Sequence, residues 1–248
     1  MNYGICNLSI VPLRSEASDK SEMISQVLYG ELFTIIDENK KWSFIRLEDD
    51  QYEGWIDNKQ FALLSEIEFT DLNRLPKKYS SNLVDIITAE TEELIPITIG
   101  TNIAPSHFLK HQFAGDYLSS FSKNAIIGTA LNYLNSPYLW GGKTPFGIDC
   151  SGFSQMVYKM SGIQIKRDAS LQATQGEVLS FIEESEPGDL AFFDNEEGHI
   201  THVGIIMENN QIIHAHGKVR IDHLDHSGIF NSDTNTHTHK LRVIKRIA

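Results

Sequence analysis

In the second half of the chain the apolar residues change their spacing, from every third or fourth position to every second, and few folds accommodate that change. From Cys150 onward, Phe153, Met156, Val157 and Met160 recur at helical intervals, so one face of a helix can pack on a core. Asp149 stands where a helix cap belongs. Further on, residues 190–193, 199–207 and 211–217 are short apolar runs separated by turn residues. They read as a three-stranded antiparallel meander, and a helix laid on such a meander is an α+β arrangement.

The cysteine begins the helix, where unpaired N–H groups and the positive end of the helix dipole favour a negative sulfur. Such sites lower a thiol from about 8.5 into the range of roughly 3.5 to 7.5, so Cys150 is expected to be a reactive thiolate. The plainer reading is a buried, inert cysteine, a common fate for that residue. The downstream histidines weigh against it. With a strand period of two, His202, Gly204 and Ile206 share one face, as do Ile212, His214 and His216 on the next strand. Pairing through the short turn at 208–210 brings His202 near His214. A nucleophile needs a base, and the base needs a group that holds its tautomer, so Cys150, His202 and His214 are assigned those three roles.

The formal charge is -12, from 21 Lys plus Arg against 33 Asp plus Glu, which repels polyanions such as nucleic acid. The first residues lack a basic n-region and an apolar h-region, and no run of 18 apolar residues occurs, so the expectation is a cytoplasmic protein without membrane insertion. Only Cys6 and Cys150 are present, which disfavours a disulfide framework.

Residues 1–65 alternate short strands (6–13, 26–28, 32–37, 42–47 and 53–56) with polar turns and suggest a small barrel, with Trp42 and Trp55 in its core. Residues 66–119 read as either a connector or a second small β unit. Within them 75–81 looks like a loop, 93–99 like a strand and 107–113 like a short helix. Residues 122–136 read as a helix whose stripe is Ile126, Ile127, Ala130, Leu131 and Leu134.

The runs Tyr138-Leu-Trp-Gly-Gly142, Asp149-Cys-Ser-Gly152, Arg167-Asp-Ala-Ser170, Pro187-Gly-Asp-Leu190, Thr201-His-Val-Gly204 and Ile213-His-Ala215, in that order, resemble the NlpC family of bacterial cell-wall cysteine peptidases across residues 120–248. The phrases Gln26-Val-Leu-Tyr-Gly-Glu31, Trp42-Ser-Phe-Ile-Arg46 and Tyr52-Glu-Gly-Trp-Ile56 resemble a bacterial SH3-like domain. The resemblance implies an α+β protein, an N-terminal small SH3-like β-barrel followed by a papain-like cysteine peptidase domain with its triad on Cys150, His202 and His214. It implies hydrolysis of the amide between γ-linked D-glutamate and a diamino acid in murein peptides, with no cofactor and no metal. Some members accept only peptides with a free N-terminal L-alanine, whose amine Asp149 would hold, with Tyr52 reaching across from the barrel and Glu22 as a third group. Ser151, Ser170 and Arg167 would donate to the α-carboxylate of D-glutamate. The plainer readings are a helix cap for Asp149 and a surface ion pair of about 0 to 1 kcal/mol for Arg167 and Asp168.

Two other classes are weighed. Eight of the ten histidines lie within residues 199–239, which raises a zinc hydrolase, but no His-Glu-x-x-His helix occurs and spacing places no fourth ligand. His223, His226, His237 and His239 are expected in solvated loops. The other rival is a wall-peptide-binding module with a decayed catalytic half, against which the intact Cys150, His202 and His214 stand.

Overall fold

A computed structural model describes residues 2–247, and the chain divides into two compact units. The first comprises Met1–Ser120 together with Trp140–Pro145, and the second Phe121–Leu139 with Phe146–Ala248.

The first unit is built on a seven-stranded antiparallel sheet. Its order is Met23–Leu28, Ile10–Arg14, Glu53–Asp57, Trp42–Leu47, Leu32–Glu38, Asn2–Ile5 and Ala62–Leu64, two strands more than the alternation suggested. The inward side chains of the alternating pattern, among them Val11, Leu13, Val27, Phe33, Ile45 and Ile56, close one core. Trp42 is buried, whereas Trp55 is half-buried against the ring of Phe44.

Residues 66–119 belong to the first compact unit and include a small β sheet of their own. A helix, Glu66–Asn73, starts at a capping box between Ser65 and Glu68. A three-stranded sheet follows, Leu94–Thr98, Val84–Ala89 and His111–Phe113, and Tyr29 joins Ile87, Ile97 and Ile103 in a shared core. The expected helix at 107–113 is instead a turn leading into the His111–Phe113 strand, whose backbone pairs with Val84–Ala89. The expected loop at 75–81 contains a strand, Tyr79–Ser80, paired with Tyr117–Leu118.

Trp140–Pro145 is held into this unit by charge as well as backbone. The Lys143 ammonium pairs with Glu31 at 3.4 Å, both side chains buried, and the Lys143 N–H donates to Gln26 Oε1 at 2.7 Å. Gly141 has a positive φ, and a Cβ there would collide with the Met23 carbonyl, so only glycine fits.

In the second unit the sheet is also antiparallel and seven-stranded. From the edge strand Glu177–Leu179 it runs through Thr236–Arg246, Leu190–Asp194, Ile200–Met207, Gln211–His216, Lys218–Asp225 and Gly228–Asn231. Gly228–Asn231 pairs back onto Thr236–Arg246 and closes the last six into a barrel. Ala191, Phe193, Ile206, Ile212, Leu224, Ile229 and Ile244 fill it. The helix Cys150–Met160 packs on the strand Ile200–Met207 and is buried along its whole length. The predicted helix at 122–136 is shorter, a 3-10 turn Lys123–Ala125 and a helix Ile126–Asn132. Ile126, Thr129 and Ala130 form its buried face, while Leu131 and Leu134 turn outward. Among the described residues, no helix is long and apolar enough to cross a membrane.

Candidate active site

Helix Cys150–Met160 starts because Asp149 adopts an extended backbone and its Oδ1 accepts the Gly152 N–H at 2.6 Å, satisfying one of the orphan donors of the first turn. Asp149 has a second task. Arg167, 1 % exposed, sets Nη1 3.0 Å from Asp149 Oδ1 and Nη2 2.7 Å from Oδ2. Ser151 Oγ accepts from Arg167 at 2.9 Å and lies 3.3 Å from Asp149 Oδ1. A paired guanidinium and carboxylate can stay charged in a place where neither could alone. The plainer reading of Arg167 as a surface residue does not hold, since it is buried against Asp149, and a guanidinium this buried does not suit the expected role of donor to a substrate carboxylate. Ser170, by contrast, is exposed on the short helix Ala169–Gln172.

The Cys150 thiol is buried and has backbone hydrogen bonds to Val203 and Ser151. Val203 follows His202 in the strand, so the sulfur lies against the segment that carries the proposed base. Burial pushes this thiol up to about 12, with the Asp149 carboxylate adding to the rise against the lowering effect of Val203, Arg167 and Ser151. Desolvation and a neighbouring anion thus work against the helix end, which alone would favour a resting thiolate.

His202 and His214 meet as the strand period requires. His214 pairs in register with Gly204, and His202 Nε2 lies 2.8 Å from His214 Nδ1. A Cβ on Gly204 would lie 2.9 Å from the His214 Cβ, so glycine gives the second imidazole its room. Burial, and then His214, His239 and His216, push the His202 imidazole well below its ordinary range. Burial also lowers His214, opposed by Asp222, whose Oδ2 lies 2.9 Å from His214 Nε2. Both rings are therefore neutral at neutral pH.

Three residues enter that sequence reasoning did not assign. Asp222 is one; alternation in the strand Lys218–Asp225 could have turned it toward His214, but its polar neighbours hid the strand. His239, expected in a solvated loop, lies in the strand Thr236–Arg246 with its ring stacked on His202 at 4.1 Å. His237 is likewise in that strand, paired with Asp225 at 2.9 Å. His223 is an exposed residue of Lys218–Asp225, and only His226 lies in a turn. The third is Tyr138, part of the quoted motif, whose hydroxyl is pushed up to about 12 by burial and then by Cys150 and Asp149, which places it within electrostatic reach of the sulfur.

Tyr52 and Glu22 belong to the first unit. Tyr52 is half-buried beside the core of that sheet, and Glu22 accepts the indole N–H of Trp140 at 2.6 Å.

Residues 135–238 match the NlpC/P60 family, and residues 13–61 match the bacterial dipeptidyl-peptidase Sh3 domain. The chain is a peptidase that carries an NlpC/P60 domain preceded by an SH3-like domain. It is 27% identical over 249 residues to dipeptidyl-peptidase 6 of Lysinibacillus sphaericus, covering 86% of this chain and 88% of the other. To the gamma-D-glutamyl-L-lysine dipeptidyl-peptidase of Bacillus subtilis it is 29% identical over 212 residues, covering 77% and 71%. A crystal structure of an NlpC/P60 family protein from Bacillus cereus shares the fold, with a TM-score of 0.78 at 20% identity over 99% of both chains.

Proposed function

We propose that this peptidase hydrolyses the amide between γ-linked D-glutamate and a diamino acid in murein peptides, through a thioester on Cys150. One observation carries the reading: the sulfur lies against the Val203 backbone, and the adjacent His202 has one ring nitrogen bound to His214, leaving Nδ1 to serve as base. The name of the Bacillus subtilis relative supports the substrate class.

A neutral thiol beside a neutral imidazole calls for proton transfer during attack rather than a preformed ion pair. The Cys150 sulfur bonds to the γ-carbonyl carbon as its proton passes to His202 Nδ1. The developing oxyanion is met by the N–H at the helix start and the Tyr138 hydroxyl. His202 then gives that proton to the departing amine. Water, deprotonated by His202, attacks the thioester and releases the carboxylate and the thiol.

A metal reading has one observation in its favour, since ring nitrogens of His202, His214 and His239 lie within 4.8 Å of one another. Yet His202 and His214 share a hydrogen bond, and His239 lies nearly parallel on His202, at 25°. Lone pairs of stacked rings run side by side and do not converge on one ion at about 2.0 to 2.1 Å. The test is digestion of L-Ala-γ-D-Glu-L-Lys and its diaminopimelate analogue, free and muramyl-linked, read by mass spectrometry. Release of L-Ala-D-Glu, blocked by iodoacetamide and indifferent to chelator, is expected; loss of turnover on chelation alone would reverse the choice.

A further inference from the structure

A row of short contacts in the second unit decides which nitrogen of each buried imidazole carries a hydrogen. Asp222 Oδ2 lies 2.9 Å from His214 Nε2 and 2.7 Å from Arg220 Nε, while Oδ1 lies 2.8 Å from Arg220 Nη2. Burial alone would raise this carboxyl, but hydrogen bonds from His214 and Arg220 outweigh it and hold it below its ordinary value. An ionised carboxylate only accepts, so the hydrogen of that contact sits on His214 Nε2. A neutral imidazole has one N–H, and the Nδ1 of His214 is then a bare lone pair. His202 Nε2, 2.8 Å from that lone pair, has to donate to it. The same rule applied to His202 leaves its Nδ1 without hydrogen.

We propose that Asp222 is the positioning residue of this site: through His214 it locks both imidazoles as Nε2–H tautomers, which leaves His202 Nδ1 as the atom able to take the thiol proton. This rests on the thiol-peptidase reading for its consequence, though not for the tautomers themselves. The opposite tautomer of His202 would direct an N–H at the sulfur and supply no base. Arg220 completes the device. Its Nη2 also reaches Asn231 at 3.2 Å and Asp233 at 2.8 Å, so the guanidinium is fixed and the carboxylate has one orientation. The other titratable groups facing the two rings are His216 on the strand of His214 and His239 on the closing strand.

Two substitutions separate this role from simple structural support. In Asp222→Ala no acceptor remains and both tautomers of His214 become populated. In Asp222→Asn the amide oxygen stays at the Oδ2 position, because turning the amide nitrogen there would set it against donors of both Arg220 and His214. The experiment takes the full chain with 15N-labelled histidine at neutral pH, records long-range proton–nitrogen spectra of His202 and His214, and measures kcat and KM. Wild type and Asp222→Asn are expected to show protonated Nε2 and bare Nδ1 on both rings. Asp222→Ala is expected to show mixed tautomers, with kcat reduced about 10- to 100-fold at little changed KM, and Asp222→Asn recovers most of that loss. Wild-type tautomers persisting in Asp222→Ala overturn the proposal whatever its activity. Should that variant not fold, the wild-type spectrum alone decides, because an Nδ1–H on either ring overturns it as well. A wild-type chain with the expected tautomers but no turnover of the murein peptide sinks the substrate reading and leaves the role of Asp222 standing.

Discussion

Arg167 grips Asp149, the residue immediately before the helix that begins at Cys150, with two guanidinium nitrogens at 3.0 and 2.7 Å. The same carboxylate caps that helix, so one ion pair sets both the start of the helix and the charge behind the sulfur. Removing one partner of such a pair strands the other in a dry place. Arg167→Leu is expected to lose about 3 to 5 kcal/mol in denaturant unfolding. A loss within about 1 kcal/mol, the size of an exposed pair, would contradict the buried arrangement.

The raised thiol and lowered imidazole make a sharp statement about pH. Burial keeps His202 neutral well below the ordinary histidine value of 6.5, and the base must be neutral to work, so kcat/KM is expected to hold steady as pH falls through 6.5 and to drop only in more acid solution. Alkylation of Cys150 by iodoacetamide needs thiolate and is expected to rise about tenfold per pH unit above neutrality, levelling only toward about 12. A plateau already reached near neutrality would reveal a resting ion pair instead.

Cys150→Ala is expected to abolish turnover with the circular dichroism spectrum unchanged. His202→Ala removes the base and should cost about 10² to 10⁴ in kcat, while His214→Ala, which only orients, should cost less. Near-native hydrolysis by either Cys150→Ala or His202→Ala would dismiss the mechanism.

His239 contributes through its neighbour. Its ring covers one face of His202 and adds to the environment that keeps that imidazole uncharged. In His239→Ala water reaches the exposed face and a repelling neighbour is gone, and both changes raise His202. The acid limb of kcat/KM should therefore move upward toward 6.5, the ordinary value for histidine. An unmoved limb would show that the stacked ring is electrostatically silent.

The site was legible where local pattern and burial agree. Phe153, Met156, Val157 and Met160 announce a helix by spacing alone, and Gly204 opposite His214 follows from a two-residue period. What escaped notice lay where charge is buried in pairs. Arg167 looks like a surface residue in any sequence, because nothing local shows that Asp149 will meet it across 18 positions. The strand Thr236–Arg246 was missed because its half-exposed threonines and histidines give no apolar alternation, yet it closes the barrel and delivers His239. Leu131 and Leu134 misled in the opposite sense: Leu131 lies on the outward side of the helix, and Leu134 lies beyond its end at Asn132.

The placement of Trp140–Pro145 has a consequence for protein engineering. This segment of the peptidase motif contributes Lys143 to the interior of the SH3-bearing body, where Glu31 neutralises it. A truncation beginning at Phe121 would keep that lysine and discard its counterion. The two halves are thus poorly suited to free recombination, and grafting this peptidase onto a foreign targeting module would require the graft to bring its own acidic socket.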